Sequence, residues 1–282
     1  MAELEKISVS RHLAPKVTVR EFQYDPGVLD FPVLPHDEIH IWHQSLTWGF
    51  AVIESCSDLL SPDELQRAGR FRFVHDRKEF ILCRGTLRIL LGYYLNRPPK
   101  ELRLGYSEFG RPGLAANPPE SDLEFNVSHS DDLALLAFAR GRQIGIDVER
   151  VRRNFGTGEV AERFFSEVER VGLRELPQEK RHEAFFRCWA RKEAFIKALG
   201  EGLSHPLDQF DVSLAPGAPP ALLATRPDAR EAKRWMLWDI QVPGEYAAAL
   251  AAETHGNPRR VNKTSAAKTS RFPIDPADYD LR

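Results

Sequence analysis

Cysteine is scarce in this sequence, and no cysteine has a second one close by. Only Cys56, Cys83 and Cys188 occur, and none belongs to a Cys-x-x-Cys pair. This number and spacing exclude a disulfide framework and a cysteine-based zinc site. Cys83 and Cys188 stand among apolar residues at helical spacing, which predicts buried, unreactive thiols.

Long apolar runs and a large excess of one charge are also absent. No run approaches the length of a membrane span, and the acidic start Met1–Glu5 lacks the basic and apolar regions of a signal peptide. We therefore expect a cytoplasmic protein without a membrane partner. The formal net charge is -2 with 28% charged residues, which argues against a general nucleic-acid binder.

Helical and strand patterns recur along most of the chain. Apolar residues at helical spacing predict long helices over Asp76–Leu95 and Gln178–Leu199. Ser61 followed by Pro62 predicts the start of another helix, running to about Phe73. Shorter helices are predicted over Glu159–Phe165 and Glu167–Leu176, and extended segments over Glu38–Leu46, Trp48–Ile53, Leu102–Tyr106, Leu123–Val127, Leu133–Ala139, Gln143–Glu149, Phe210–Leu214, Trp235–Val242 and Tyr246–Ala252.

The order of these elements predicts an α+β fold with two lobes. Each half contains helices and a few antiparallel strands in a similar order, so we expect two α+β lobes of comparable size. The predicted division is an irregular N-terminal arm (1–35), an N-terminal lobe (36–142), a C-terminal lobe (143–252) and a polar tail (253–282), which we expect to be mobile or loosely docked.

The segment Gln143–Glu149 reads as a strand that carries two acids. Its apolar residues alternate with Asp147 and Glu149, so an extended backbone places both carboxylates on one face. Such a pair either faces water or holds a cation, because the two charges repel each other and resist burial. Oxygen ligands suit Mg²⁺ better than zinc. From this segment alone, a solvated strand face remains an open alternative.

A second acid lies on the last long helix. Trp189, Glu193 and Lys197 are spaced by four and therefore share one stripe, with Lys192 beside them. By itself a Glu–Lys pair of this kind is typical of a solvated helix face. The neighbouring aromatic residues place this pair near a buried surface.

Four motifs in the same order and spacing resemble those of the Sfp-type 4′-phosphopantetheinyl transferases. They are F-N-V-S-H-S at 125–130, G-I-D-V-E at 145–149, R-F-F-S at 163–166 and W-A-R-K-E-A-F-I-K at 189–197. The resemblance extends from about Ser61 to Ala252. It implies two lobes related by a pseudo-two-fold axis, with coenzyme A (CoA) and Mg²⁺ bound in the cleft between them.

The resemblance also implies an activity and a set of partners. The expected reaction moves the 4′-phosphopantetheine arm of CoA onto a serine of an acyl or peptidyl carrier protein and releases adenosine 3′,5′-bisphosphate. The carrier is expected to dock near the lobe junction and the segment Arg163–Leu176. Because two fused lobes make one internal cleft, we expect a monomer.

Specific residues match the family's motif positions. The implied metal ligands are Asp147, Glu149 and Glu193, and the expected base for the carrier serine is Glu193 or a metal-bound water that Glu193 orients. The implied CoA-binding residues are Ser128, His129, Arg111 in the F-G-R-P turn, and Lys197 near the diphosphate. We further expect Lys197 and Lys192 to stabilise charge on the departing bisphosphate, and Arg84 with Arg70 to reach the CoA 3′-phosphate.

The sequence also suggests two alternative functions. Ser128, His129 and Asp147 contain the residue types of a serine hydrolase, but adjacent Ser and His in a strand cannot readily face each other, and no G-x-S-x-G elbow occurs. A non-catalytic module that binds CoA or a carrier protein is the other alternative. The sequence does not distinguish fatty-acid, polyketide and nonribosomal-peptide carriers.

Overall fold

The computed structural model describes residues 14–24, 32–115, 121–200 and 205–254. Its helices are α1 (Phe50–Ser57), α2 (Pro62–Ala68), α3 (Val74–Leu95), α4 (Thr157–Phe164), α5 (Glu167–Glu175) and α6 (Gln178–Leu199). Its strands are β1 (Lys16–Glu21), β2 (Glu38–Ser45), β3 (Leu104–Tyr106), β4 (Pro112–Leu114), β5 (Leu123–Ser130), β6 (Leu133–Arg140), β7 (Ile144–Arg150), β8 (Phe210–Val212), β9 (Leu222–Thr225), β10 (Trp235–Asp239) and β11 (Tyr246–Glu253). The expected α+β class is confirmed.

The first half of the chain builds a four-stranded sheet in the order β1-β2-β6-β5. β1 runs parallel to β2, while the other two pairs are antiparallel. α1 and α3 share an apolar cluster with one face of this sheet, where Trp42, Leu136 and Phe138 meet Leu82 and Leu87. The long helix α3 therefore forms because its apolar stripe covers the sheet.

The second half builds a three-stranded antiparallel sheet in the order β10-β11-β7. α6 packs on this sheet together with α4 and α5, and their shared core is rich in aromatic rings, including Phe185, Trp189 and Phe195. The αL conformation of Gly200, at φ +77°, ends α6.

A third apolar cluster joins the two sheets. It contains Ile39 and Ile41 of β2, one face of β6, and Ile144, Ile146 and Val148 of β7. β6 is apolar on both faces for this reason, since its alternate residues enter two different cores. The symmetric relation of two lobes and the division at 36, 143 and 253 stay predictions.

Three short segments differ from the sequence-based expectations. Lys16–Glu21 is strand β1, not part of an irregular arm, because Val17 and Val19 alternate with polar residues along the edge of β2. The expected extended segment Trp48–Ile53 is wrong, since helix α1 begins at Phe50. Strand β9 lies between the expected extended segments Phe210–Leu214 and Trp235–Val242, where the sequence analysis places no strand.

Helix α2 is shorter than the sequence predicts, and the end of the chain lies outside the described residues. Helix α2 begins after Ser61 as expected, and Ser61 forms a capping box with Glu64, but α2 ends at Ala68 rather than near Phe73. The polar tail expected to be mobile lies outside the described residues from 255 onward. Within the described part of the chain, no helix is long and apolar enough to span a membrane.

Candidate active site

Strand β7 presents its two acids toward helix α6. Asp147 is buried, with 3% of its side chain exposed, and Glu149 is partly buried. The three apolar residues of β7 enter the cluster between the sheets, so the predicted alternation of the two faces is confirmed. The carboxylates therefore face protein rather than bulk water, which removes the solvated-face alternative.

Gly145 brings the backbones of β7 and α6 into close approach. A Cβ at this position would lie 2.1 Å from the carbonyl oxygen of Ala194 and 2.3 Å from the amide nitrogen of Ala198. Only glycine fits, because both neighbours are backbone atoms. The stripe of α6 that carries Glu193 and Lys197 is thereby held against the acids of β7.

Asp147, Lys197 and Ser128 form the centre of the site. The Lys197 ammonium Nζ lies 2.6 Å from Asp147 Oδ1 and 2.9 Å from Ser128 Oγ. Ser128 Oγ in turn donates to Asp147 Oδ1 at 3.0 Å. Residues from β5, β7 and α6, separated by up to 69 positions in the chain, thus share one hydrogen-bonded cluster.

Burial and like charge perturb the acids of this cluster. Burial, with added repulsion from Asp147, raises the pKa of Glu149 and of Glu193 to about 8 in each case. Burial opposes the charge on Lys197, but the attraction of Asp147 and Glu193 prevails and raises its pKa. One ammonium group is therefore left to compensate three carboxyl groups, which is the charge balance that favours an additional cation.

Two buried carboxylate oxygens also have no hydrogen-bond partner among the described residues, Asp147 Oδ2 and Glu193 Oε1. Unpaired buried carboxylate oxygens are costly, and a bound cation removes that cost. Within the part of the chain that the structure describes, however, no three Asp, Glu, His or Cys side chains are already arranged to hold a metal ion. The donor set thus suits Mg²⁺ chemically, but at least one of the three acids would have to move to complete the coordination of an ion.

Ser128 and His129 lie within β5 rather than beyond its end. Ser128 is buried in the cluster, whereas His129 is exposed, as adjacent strand residues point to opposite faces. The polar partners of Ser128 are Asp147, Lys197 and the Val148 amide. No imidazole lies among these contacts, so the arrangement gives no support to a serine hydrolase.

Arg111 bridges three elements next to the cluster. Its guanidinium donates to the carbonyl oxygens of Ala198 at 3.2 Å, Ile144 at 3.1 Å and Phe125 at 3.5 Å. Burial lowers the pKa of Arg111, while Glu124 raises it. Arg111 therefore fastens α6, β7 and β5 together, and its expected contact with CoA stays a prediction.

The other two arginines lie apart from the cluster. Arg84 is buried in α3, 3.3 Å from the Tyr106 hydroxyl and 3.7 Å from Glu64, and its Nη1 has no hydrogen-bond partner among the described residues. Arg70 is exposed beyond α2 and donates to Gln66. The structure does not bring either of them to Asp147, and their roles toward the 3′-phosphate stay predictions.

The expectation for Lys192 has to be corrected. Its side chain is 0% exposed and donates to the carbonyl oxygens of Leu207 and Phe210, both at 2.7 Å, while Glu169 lies at 2.8 Å. All three ammonium protons are thus used inside the protein core. Lys192 follows Arg191 and precedes Glu193, but one residue along a helix turns the side chain by about 100°. It points away from the acids and cannot reach a ligand beside them.

Two further residues reach the acid-bearing strand and were given no role from the sequence. Asn126 accepts a hydrogen bond from the Ile146 amide, and Ser130 donates to Glu149. The available signal was the spacing of Asn126, Ser128 and Ser130 by two, which places all three on one face of β5.

Two family models match most of the described chain. The model described as the 4′-phosphopantetheinyl transferase superfamily matches residues 143–251, and the one described as 4′-phosphopantetheinyl transferase, N-terminal, matches residues 49–140. The first range contains β7 and α6, which carry the acids and Lys197.

Several named proteins are similar over most of this chain. The 4′-phosphopantetheinyl transferase HetI of Nostoc is 39% identical over 220 residues, covering 78% of this chain and 90% of that protein. The human L-aminoadipate-semialdehyde dehydrogenase-phosphopantetheinyl transferase is 32% identical, covering 68% and 66%. The transferase Sfp of Bacillus subtilis is 32% identical, covering 57% and 69%.

Among solved structures, the holo-[acyl-carrier-protein] synthase of Thermotoga maritima matches 39% of this chain and 62% of its own, with 28% identity and a TM-score of 0.33. On the sequence relationships, the chain belongs to the 4′-phosphopantetheinyl transferase superfamily and is an enzyme of that family. The expectation drawn from its four motifs is confirmed.

Proposed function

We propose that this protein transfers 4′-phosphopantetheine from CoA to a serine of an acyl or peptidyl carrier protein, in a Mg²⁺-dependent reaction that releases adenosine 3′,5′-bisphosphate. The observation that carries the proposal is the cluster of Asp147, Glu149 and Glu193 around the Lys197 ammonium group, with two buried carboxylate oxygens that have no hydrogen-bond partner among the described residues. Such a cluster attracts a cation, and a cation is what a diphosphate substrate requires.

The residues that would hold Mg²⁺ are Asp147, Glu149 and Glu193. When bound, the ion would neutralise charge on the CoA diphosphate. Lys197, already charged beside Asp147, stabilises the negative charge that develops on the leaving bisphosphate. The Ser128 hydroxyl holds the Lys197 ammonium and the Asp147 carboxylate in place.

Proton transfer is assigned to Glu193. The carrier serine oxygen forms a bond to the phosphorus next to the pantetheine arm, the bond from that phosphorus to the bridging oxygen breaks, and the serine proton passes to the Glu193 carboxylate. Without a cation, burial and the charge of Asp147 raise the pKa of Glu193 to about 8, so most of this group is protonated at neutral pH. A nearby cation lowers that pKa and keeps the carboxylate ionised.

Binding of CoA is assigned to basic groups around the cluster. His129 is exposed on β5, Arg84 has a buried Nη1 without a hydrogen-bond partner among the described residues, and Arg70 is exposed nearby in sequence. These groups are proposed to bind CoA phosphates, while Arg111 holds α6, β7 and β5 together beside them. Lys192 is not included, because it is enclosed in the core.

Docking of the carrier protein is assigned to α5 and to the residues that directly precede it. Val168 and Val171 are 61% and 42% exposed on α5, next to Arg170 and Arg174. Exposed apolar residues beside arginines are suited to an acidic helical partner. We further propose that the protein acts as a monomer.

The test compares Asp147→Ala with the matched control Asp58→Ala, an exposed acid that ends α1. Purified apo-carrier proteins are incubated with CoA and Mg²⁺, and mass spectrometry records the added arm. Loss of several kcal/mol of electrostatic stabilisation corresponds to a rate reduction of about 10²–10³-fold for Asp147→Ala. Asp58→Ala should retain the wild-type rate.

The same assay separates catalysis from a non-catalytic binding role. If the wild-type protein binds CoA but transfers nothing to any carrier, the binding module is correct. If folded Asp147→Ala transfers at an undiminished rate, the assignment of the metal site is wrong. Titration of Mg²⁺ against chelator in the same reaction checks the metal dependence directly.

A further inference from the structure

Strands β5 and β7 lie side by side although they belong to different sheets. Three side chains of β5 accept hydrogen bonds from three backbone amides of β7 in a matched register. Asn126 Oδ1 accepts from Ile146 N at 2.9 Å, Ser128 Oγ from Val148 N at 3.3 Å, and Ser130 Oγ from Arg150 N at 3.1 Å. We name Asn126, Ser128 and Ser130 the side-chain ladder.

The ladder fixes the direction of each serine proton. A backbone N–H and an ammonium group can only donate, so the hydroxyls of Ser128 and Ser130 act as acceptors toward β7 and Lys197. Each hydroxyl then has one proton of its own to donate. That proton goes to Asp147 Oδ1 at 3.0 Å from Ser128, and to Glu149 Oε2 at 3.3 Å from Ser130.

The consequence is a defined orientation for the acids of β7. Asp147 Oδ1 is occupied by Ser128 and Lys197, while Asp147 Oδ2 is buried without a partner among the described residues. The ladder thus selects which carboxylate oxygen is left for a cation. Asn126 contributes at the first rung, where it sets the backbone position one residue before Asp147.

We propose that Asn126 and Ser130 are positioning residues, which hold the acids of β7 in the orientation that binds a divalent cation. The inference rests on the proposed function in so far as that function includes the cation. It assigns neither residue a contact with substrate. Partners of this kind, one step removed from a metal, typically change metal affinity by about 10–100-fold when they are removed.

The experiment measures cation binding directly, without turnover. Mn²⁺ is titrated into the full-length protein with CoA present, and the free-ion signal is followed by electron paramagnetic resonance. Ser130→Ala removes only the hydroxyl, so we expect about tenfold weaker Mn²⁺ binding. Ser130→Thr keeps the hydroxyl and should bind as the wild type does. Ser45→Ala, at the exposed end of β2, is the matched control.

The outcomes separate the positioning role of Ser130 from the metal part of the proposed function. If the wild-type protein binds no Mn²⁺, both this inference and the metal part of the proposed function fail. If the wild type binds Mn²⁺ and Ser130→Ala binds it equally well, the positioning role is overturned while the proposed function stands. A lower melting temperature of Ser130→Ala with unchanged Mn²⁺ affinity likewise overturns it, since that combination marks a purely structural residue.

Asn126→Ala provides the second measurement. It removes the partner of the Ile146 amide and leaves every carboxylate in place. We expect a raised Mg²⁺ requirement for transfer, with the rate at saturating Mg²⁺ reduced less than the rate at limiting Mg²⁺. An equal loss at both Mg²⁺ concentrations in a folded variant contradicts the proposal.

Discussion

Replacing Lys192 by methionine distinguishes a core lysine from a ligand-binding one. In the structure its ammonium satisfies two carbonyl oxygens and lies 2.8 Å from Glu169, whose own side chain is 1% exposed. Methionine fills a similar volume but donates no hydrogen bond. The substitution therefore leaves the carbonyls of Leu207 and Phe210 without this donor and removes the charge that compensates Glu169.

Breaking a buried ion pair on one side typically costs about 3–5 kcal/mol. Glu169 keeps the amides of Ser166 at 3.0 Å and Val212 at 2.8 Å, which offsets part of its lost partner. We therefore expect Lys192→Met to lower the free energy of unfolding by about 3 kcal/mol, near the lower end of that range. Lys180→Met, at an exposed position of the same helix, should change it by less than about 0.5 kcal/mol.

Urea unfolding followed by tryptophan fluorescence measures this difference, and transfer assays on the folded variant give the KM for CoA. A core role predicts an unchanged KM. The double variant Lys192→Met with Glu169→Gln should recover part of the loss, because it removes the uncompensated charge, with a coupling of about 0.5–3 kcal/mol. Wild-type stability combined with a KM for CoA raised about tenfold would refute the reasoning and restore Lys192 to the binding site.

Two further predictions concern the contact between β7 and α6. Gly145→Ala places a methyl group against backbone atoms of Ala194 and Ala198, so we expect destabilisation of about 3 kcal/mol or more, measured by thermal or urea unfolding; a variant as stable as the wild type contradicts that close approach. For the metal-free protein, we expect stability to fall as pH rises from about 4.5 to 8. Glu149 and Glu193 have a pKa of about 8 in the folded state, above the unfolded value of about 4.3, so the folded state binds more protons in this window. Melting temperatures across that range should fall less steeply for Glu193→Gln, and also less steeply with Mg²⁺ present; identical slopes in all three cases would contradict the assignment.

Much of the site could be read from the sequence because its signals are periodic. The structure shows the predicted alternation of Ile144, Ile146 and Val148 with the acids of β7. It also shows α6 over the predicted range, from Gln178 to Leu199. Periodicity reports which residues share a face. It placed Asp147 with Glu149, and Glu193 with Lys197, and the structure brings the two pairs together.

What the sequence could not predict are contacts whose partners lie far away in the chain. Arg88 of α3 carries a charge, yet its side chain is 1% exposed because Glu64 from α2 reaches it at 2.7 Å. Lys192 is polar, and only Glu169 with the carbonyls that follow α6 shows why it is buried. β1 and β9 are only six and four residues long, so their sequence patterns are short, and their pairing with neighbouring strands defines them.

The side-chain ladder affects how the contact between β5 and β7 opens locally. The amide protons of Ile146, Val148 and Arg150 are held by side chains of another element, while the opposite edge of β7 is paired through the backbone of β11. Their protection from hydrogen exchange therefore depends on individual residues that can be replaced one at a time. Hydrogen exchange at these three amides can therefore report three separate local opening free energies along the contact between the two sheets.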